Sequence, residues 1–140
     1  MNSIEILLIE DDVIEVMKLQ RTITSLQLNY KIIKALNGEE ALTILKERDK
    51  LPDIILLDLN MPKINGLEFL SILKNTKSLK HIPTIILTTS NNNADLLECY
   101  KHGIAGYILK PLKYEDYASK IKSILSYWSI NELIRNNSKH

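Results

Sequence analysis

The chain has 140 residues, with 18 Lys and Arg against 17 Asp and Glu, and its formal net charge is +1. A chain of this length is expected to fold as one domain around one core. Charges of both signs are interspersed, which argues against direct nucleic-acid binding because that needs a basic patch. The single cysteine, Cys99, excludes an internal disulfide and suggests neither a zinc site nor a redox pair.

The N-terminal stretch SIEILLIEDD carries acids where a secretory signal needs basic residues. The longest unbroken apolar runs, such as 54–57 and 85–87, fall far short of the roughly 18 residues that indicate a transmembrane helix. We therefore expect a soluble cytoplasmic protein that does not enter a membrane.

Five short segments rich in Ile and Leu alternate with longer segments of helical period. The short segments are 4–9, 30–36, 53–58, 83–89 and 105–110. Most are near-continuous apolar runs, as expected for strands covered on both faces. A β-α unit repeated five times predicts a parallel sheet with right-handed crossovers and helices on both faces, a three-layer α/β/α sandwich.

Cap signals support the helix boundaries. Asp12 is expected to cap the first helix, and one of Asn91–Asn93 the fourth. Trp128 continues the apolar stripe of the last helix, where it either packs or docks a partner. We assign residues 1–128 to one domain and 129–140 to a C-terminal helix extension and frayed tail.

Polar residues follow four of the five predicted strands, at the edge where open α/β sheets bind ligands. They are Glu10, Asp11 and Asp12, then Asp58, then Thr88, Thr89 and Ser90, and finally Lys110. Crowded carboxylates tend to hold protons or bind a hard cation, and Mg²⁺ prefers oxygen ligands and commonly bridges to phosphate. A lysine ammonium and a threonine hydroxyl suit the remaining oxygens of a phosphoryl group.

These residues predict a phosphoryl-transfer site in which Asp58 is the nucleophile. Each residue alone also fits an ordinary role. Asp58 could cap a turn, and acids at 10–12 are favoured by a helix dipole. Gly66, which follows Asn65, is expected to serve the backbone geometry of a turn rather than to bind a ligand.

Four motifs in order, ILLIEDD, DIILLDLNMPKINGLEFL, PTIILTTS and GYILKP, resemble the CheY-like receiver domain of two-component response regulators. The resemblance runs from about residue 4 to about residue 127. It implies a flavodoxin-like fold, a doubly wound five-stranded parallel sheet with strand order 2-1-3-4-5. It also implies a stand-alone, single-domain regulator.

The resemblance implies a role for each residue that matches a motif. Asp58 would be the phosphoacceptor, with Thr88 and Lys110 holding two phosphoryl oxygens. Tyr107 would be an aromatic switch that turns inward when Thr88 moves toward the phosphate. The Lys110-Pro111 peptide would be cis.

The same resemblance implies a Mg²⁺ site. Its ligands would be Asp11, Asp58 and the backbone carbonyl of Asn60. Glu10 would support the metal, and because it stands where many relatives have Asp, its longer arm leaves open whether it does so directly or through water.

The implied function is to accept a phosphoryl group from a sensor histidine kinase or a histidine phosphotransfer protein and to switch binding to an unidentified downstream protein. The chain would catalyse only its own phosphorylation and dephosphorylation. One alternative is a pseudo-receiver adaptor that acts without phosphorylation. Another is a Mg²⁺-dependent aspartyl phosphohydrolase, which the absence of a second acid two residues beyond Asp58 disfavours. A homodimer through the sheet-edge face is left open.

Overall fold

The structure is a computed structural model that describes residues 3–61 and 64–134. In these ranges the chain forms five strands, β1 (Ile4–Ile9), β2 (Tyr30–Ala35), β3 (Ile54–Leu57), β4 (Thr84–Thr88) and β5 (Gly106–Leu109). Five helices follow them in turn, α1 (Val13–Ser25), α2 (Gly38–Glu47), α3 (Gly66–Lys74), α4 (Asn93–Lys101) and α5 (Tyr114–Ser129). None of these helices is both long and apolar enough to cross a membrane.

The five strands form one parallel sheet in the order β2-β1-β3-β4-β5. This order confirms the predicted flavodoxin-like topology. The chain winds from β1 to β2 at one edge and returns to β3 on the other side of β1, so the winding direction reverses there. The crevice at such a reversal, outside the carboxyl ends of the strands, is where open α/β sheets bind ligands.

Alternate side chains of each strand enter different cores, because successive residues of a strand point to opposite faces of the sheet. In β1, Leu7 and Ile9 pack into a cluster shared with α2, α3 and α4. Their neighbours Ile6 and Leu8 pack into a second cluster shared with α1 and α5. Apolar residues are therefore needed at consecutive positions, and the predicted three-layer sandwich is confirmed.

The predicted helix caps are confirmed. The Asp12 carboxylate accepts the backbone N–H of Ile14 at 2.9 Å and so begins α1. Among the three consecutive asparagines before α4, Asn92 is the cap, and its side chain accepts the backbone N–H groups of Ala94 and Asp95.

Gly66 is not in a turn, so the predicted turn is wrong, although the prediction that the glycine serves the backbone is confirmed. It begins α3, and its φ is not in the left-handed region. The need for glycine is spatial, because a Cβ atom at this position would lie 2.5 Å from Leu59 Cα and 2.7 Å from the Asp58 carbonyl oxygen. The first turn of α3 thus packs directly on the backbone that carries Asp58.

The last helix ends at Ser129, one residue beyond the predicted domain boundary, and residues 130–134 are not helical. The Asn131 side-chain amide donates to the Tyr127 carbonyl at 2.7 Å, and the Asn131 backbone N–H donates to the Trp128 carbonyl at 3.2 Å. An asparagine side chain that bonds backbone carbonyls in this way competes with continued helix.

Trp128 and Leu133 both pack, half-buried, against the core shared by α1 and α5. The packing role predicted for Trp128 is therefore present. Residues 135–140 of the predicted tail lie outside the described residues, and the domain boundary after residue 128 stays a prediction.

Candidate functional site

The carboxylates that follow β1 and β3 meet in one open cavity of about 420 Å³ at the carboxyl edge of the sheet. The Asp58 backbone N–H donates to the Ile9 carbonyl at 3.1 Å, which aligns the ends of the two strands. As a result, one carboxylate oxygen from each of Glu10, Asp11 and Asp58 lies within 4.8 Å of the others. Glu10 and Asp58 are buried, whereas Asp11 is exposed. Three carboxylates this close repel one another, and their oxygens are the donors that a hard divalent cation prefers.

Lys110 enters the same cavity from the end of β5, where its backbone N–H donates to the Thr88 carbonyl at 2.8 Å. Its ammonium nitrogen lies 2.6 Å from Glu10 Oε1 and 3.3 Å from Glu15 Oε1. Only 9% of the Lys110 side chain is exposed. The ammonium therefore offsets part of the negative charge of the cavity.

The pKa values of Glu10 and Lys110 both respond to this arrangement. Burial raises the pKa of Glu10 to about 7, although the hydrogen bond from Lys110 and its positive charge act in the opposite direction. Burial alone would lower the pKa of Lys110, but its hydrogen bond to Glu10 and the surrounding carboxylates outweigh burial and raise it. Lys110 therefore stays cationic at neutral pH, and a cation bound beside Glu10 would favour the charged form of that carboxyl.

The Thr88 hydroxyl does not line the cavity, whereas the neighbouring Thr89 does. Thr88 is fully buried, and its Oγ1 accepts the backbone N–H of Ser90 at 3.3 Å. A contact between Thr88 and a phosphoryl oxygen needs the loop after β4 to move, and that role stays a prediction.

Tyr107 is connected to the same loop. Its hydroxyl donates to the Ser90 carbonyl at 2.8 Å, and its half-buried ring packs against the core shared by α2, α3 and α4. Burial raises its pKa. Ser90 thus joins the two predicted switch residues, Thr88 through its N–H and Tyr107 through its carbonyl.

Asn60 is exposed and lines the cavity, and its backbone N–H donates to Asp58 Oδ1 at 3.4 Å. The role of its carbonyl as a metal ligand stays a prediction. The Lys110-Pro111 peptide is trans, so the prediction of a cis bond is wrong. The trans form is the favoured one for a bond to proline, and with it Lys110 already reaches both Glu10 and Glu15.

The family model of the response regulator receiver domain matches residues 6–122. The chain belongs to this family. FilR2 of Methanothrix harundinacea, a probable methanogenesis regulatory protein, is 35% identical over 127 residues, which cover 88% of this chain and 82% of FilR2. Response regulator Rcp1 of Synechocystis is 31% identical over 128 residues, which cover 88% of this chain and 87% of Rcp1.

Solved structures agree with this assignment. The phosphorylated cyanobacterial phytochrome response regulator RcpA superposes on this receiver domain with a TM-score of 0.88 at 29% identity, covering 94% of this chain and 98% of RcpA. The Mn²⁺-bound form of Rcp1 superposes with a TM-score of 0.86 at 30% identity, covering 93% and 98% of the two chains.

Two charged cavity-lining residues of this receiver domain were missed by sequence reasoning, Glu15 and Lys18. Glu15 Oε2 lies 3.7 Å from Lys18 Nζ, which itself lies 4.2 Å from the centre of the Tyr117 ring. A signal was present in the sequence, because Asp12 and Glu15 have the spacing of a helix-capping pair. That pattern indicates the first turn of a helix but does not indicate that the glutamate reaches a lysine after β5.

An apolar surface adjoins the acidic cavity of the receiver domain. Val13, Ile14 and Met17 of α1 and Leu112 of the loop after β5 are all exposed, and Leu112 also lines the cavity. Exposed apolar side chains grouped in this way are typical of protein-binding surfaces.

Proposed function

We propose that this receiver domain accepts a phosphoryl group on Asp58 in a Mg²⁺-dependent reaction and then changes its affinity for a downstream protein. The donor is the phosphohistidine of a sensor histidine kinase or a histidine phosphotransfer protein. The observation that carries the proposal is the group formed by Glu10, Asp11 and Asp58 with Lys110 beside it.

In the proposed reaction an Asp58 carboxylate oxygen attacks phosphorus, the bond between phosphorus and the histidine nitrogen breaks, and that nitrogen keeps the electron pair. Glu10, Asp11, Asp58 and the Asn60 carbonyl would hold Mg²⁺, which offsets the negative charge of the phosphoryl oxygens when bound. The donor set fits this ion because it consists of oxygen atoms. The chain acts only on its own phosphorylation and dephosphorylation.

Lys110 has a second task in this reaction. Its ammonium pairs with Glu10 in the unphosphorylated protein and would pair with a phosphoryl oxygen once Asp58 is phosphorylated. Thr88 would donate its hydroxyl to another phosphoryl oxygen. Both contacts form only after phosphorylation, so they favour the rearranged protein over the resting one.

The signal would leave through the loop after β4. Movement of Thr88 disturbs its bond to Ser90, whose carbonyl is the partner of Tyr107. We expect a population shift worth about 1–3 kcal/mol, the usual range for coupling between two sites. Exposed Leu97 and Tyr100 lie on α4, and this face with β5 and α5 would bind the downstream protein or a second copy of the chain.

The donor would dock on the apolar surface of α1 and Leu112 described above. That surface adjoins the cavity, so a phosphohistidine presented by a bound protein can reach Asp58. Electrostatics alone would not bring the donor phosphate into a cavity where acids outnumber lysines among the described lining residues, which is why apolar contacts are needed.

Intact-protein mass spectrometry after incubation with acetyl phosphate tests the proposal. The expected result is a gain of one phosphoryl group that needs Mg²⁺, is absent in Asp58→Asn, and is retained in the control Asp12→Asn, which keeps a good helix cap. Label in Asp58→Asn would contradict the phosphoacceptor assignment. No label in any protein would favour the adaptor that acts without phosphorylation, and steady phosphate release from a simple phosphomonoester would favour a hydrolase.

A further inference from the structure

Lys110 lies between two carboxylates that belong to different parts of the chain. Glu10 Oε1, at the end of β1, is 2.6 Å from the ammonium nitrogen, and Glu15 Oε1, in the first turn of α1, is 3.3 Å from it. The proposed function uses Glu10 and Lys110 but gives no task to Glu15.

Both oxygens of Glu10 are already engaged. Oε1 accepts from Lys110, and Oε2 accepts the backbone N–H of Asp12 at 3.3 Å. A cation bound among Glu10, Asp11 and Asp58 would therefore compete with the Lys110 ammonium for Glu10.

Glu15 has unused capacity. Its Oε1 is buried and accepts no hydrogen bond from the described residues, although Lys110 Nζ lies 3.3 Å away. In a capping box, a glutamate at this position would fold back onto the backbone N–H of the cap residue. Here Glu10 already occupies the Asp12 N–H, which leaves Glu15 free to turn into the cavity.

We propose that Glu15 is a positioning residue that keeps Lys110 inside the cavity when a divalent cation takes Glu10 away from it. The inference rests on the proposed function, because it needs a cation at the three carboxylates. Lys110 cannot turn to water for compensation, since only 9% of its side chain is exposed. Burying an ammonium without a carboxylate partner costs free energy. Without Glu15, a cation that takes Glu10 away from Lys110 would have to overcome this cost.

Isothermal titration calorimetry of Mg²⁺ binding tests this role without a phosphoryl donor. The proteins are wild type, Glu15→Gln, Asp12→Asn, Lys110→Met and the double variant Glu15→Gln/Lys110→Met. Glu15→Gln preserves the shape of the side chain, and glutamine is accepted at this helix position. Asp12→Asn is the matched control, because it also removes one negative charge from the lining of the cavity but Asp12 makes no ion pair with Lys110 among the described residues.

We expect Glu15→Gln to weaken Mg²⁺ binding by about three- to tenfold, in the lower part of the range for coupled neighbours, and Asp12→Asn to weaken it less. In the Lys110→Met background, where no ammonium competes for Glu10, the effect of Glu15→Gln should shrink to that of Asp12→Asn. Circular dichroism and urea unfolding of each variant check that it keeps the native fold of the wild type, so that differences in Mg²⁺ affinity are not caused by unfolding.

Two results would overturn the inference and leave the proposed function intact. One is equal weakening by Glu15→Gln and Asp12→Asn. The other is an effect of Glu15→Gln that stays the same with and without Lys110, because Glu15 would then act only through the overall charge of the cavity. Absence of Mg²⁺ binding by wild type would instead contradict the proposed function together with the inference.

Discussion

Replacement of Gly66 by alanine is expected to destabilise the protein and to disturb Asp58 at the same time. The added Cβ would lie 2.5 Å from Leu59 Cα and 2.7 Å from the Asp58 carbonyl oxygen, both backbone atoms of the segment that follows β3. A rotamer change cannot relieve a clash with backbone. Either α3 or the segment carrying Asp58 must move by about 1 Å to restore ordinary contacts.

The size of the effect follows from two opposing contributions. Overpacking of a well-filled region costs about 1–3 kcal/mol and occasionally more. Alanine is favoured over glycine within a helix by at most about 1 kcal/mol, and less at a first helical position such as Gly66. We therefore expect a net loss of about 1–3 kcal/mol in the free energy of unfolding, a large part of the roughly 5–15 kcal/mol of a typical domain.

Urea unfolding followed by circular dichroism measures this loss, and Gly106→Ala is the matched control. Among the described residues, a Cβ at Gly106 would meet only Ile85 Cγ2 at 3.8 Å, so this variant should stay within about 0.5 kcal/mol of wild type. Labelling by acetyl phosphate should fall in Gly66→Ala and persist in Gly106→Ala. The steric reasoning would be refuted if both variants unfolded at the same urea concentration as wild type.

Three further results are expected. Burial raises the pKa of Glu10 from 4.5 to about 7, so between these pH values the metal-free native state holds a proton that the unfolded chain has released. The free energy of unfolding should therefore fall by about 1–3 kcal/mol between pH 5 and pH 8. The same dependence of stability on pH in Glu10→Gln would contradict this explanation. Cys99 is fully buried, and burial raises its pKa to about 11. The thiol should therefore react with a thiol reagent at pH 8 only after urea is added. Rapid reaction of the native protein would contradict its burial. The Tyr30 hydroxyl donates to the Leu125 carbonyl, so Tyr30→Phe should cost about 1–2 kcal/mol in urea unfolding, whereas the exposed Tyr127→Phe should cost little.

Exposed apolar residues lie on two separate surfaces of the receiver domain. The patch of α1 and Leu112 lies beside the acidic cavity, while Leu97 and Tyr100 lie on α4. Under the proposed function the first would bind the phosphoryl donor and the second the downstream protein, so the two partners would not compete for one surface.

Much of the fold was predictable because its determinants are local. Consecutive Ile and Leu residues indicate a strand covered on both faces, and Asp12 and Asn92 are cap residues whose bonds reach only two or three positions along the chain. The strand order was implied by the family resemblance rather than by periodicity. The error at Gly66 arose because a short sequence signal gives no information about how closely α3 approaches the segment after β3.

The sequence by itself determined the succession of strands and helices. It also brought acids and a lysine to the ends of the strands. Both follow from backbone periodicity and parallel topology, which require no knowledge of side-chain contacts. Only the tertiary structure decided how those side chains pair. Lys110 meets Glu10 across 100 residues of sequence, Glu15 joins them, and Thr88 turns to Ser90 instead of the cavity. The physical reason is that a buried charge or hydroxyl pairs with whichever groups folding brings within a few ångströms of it. The spacing of residues along the chain does not reveal which groups these are.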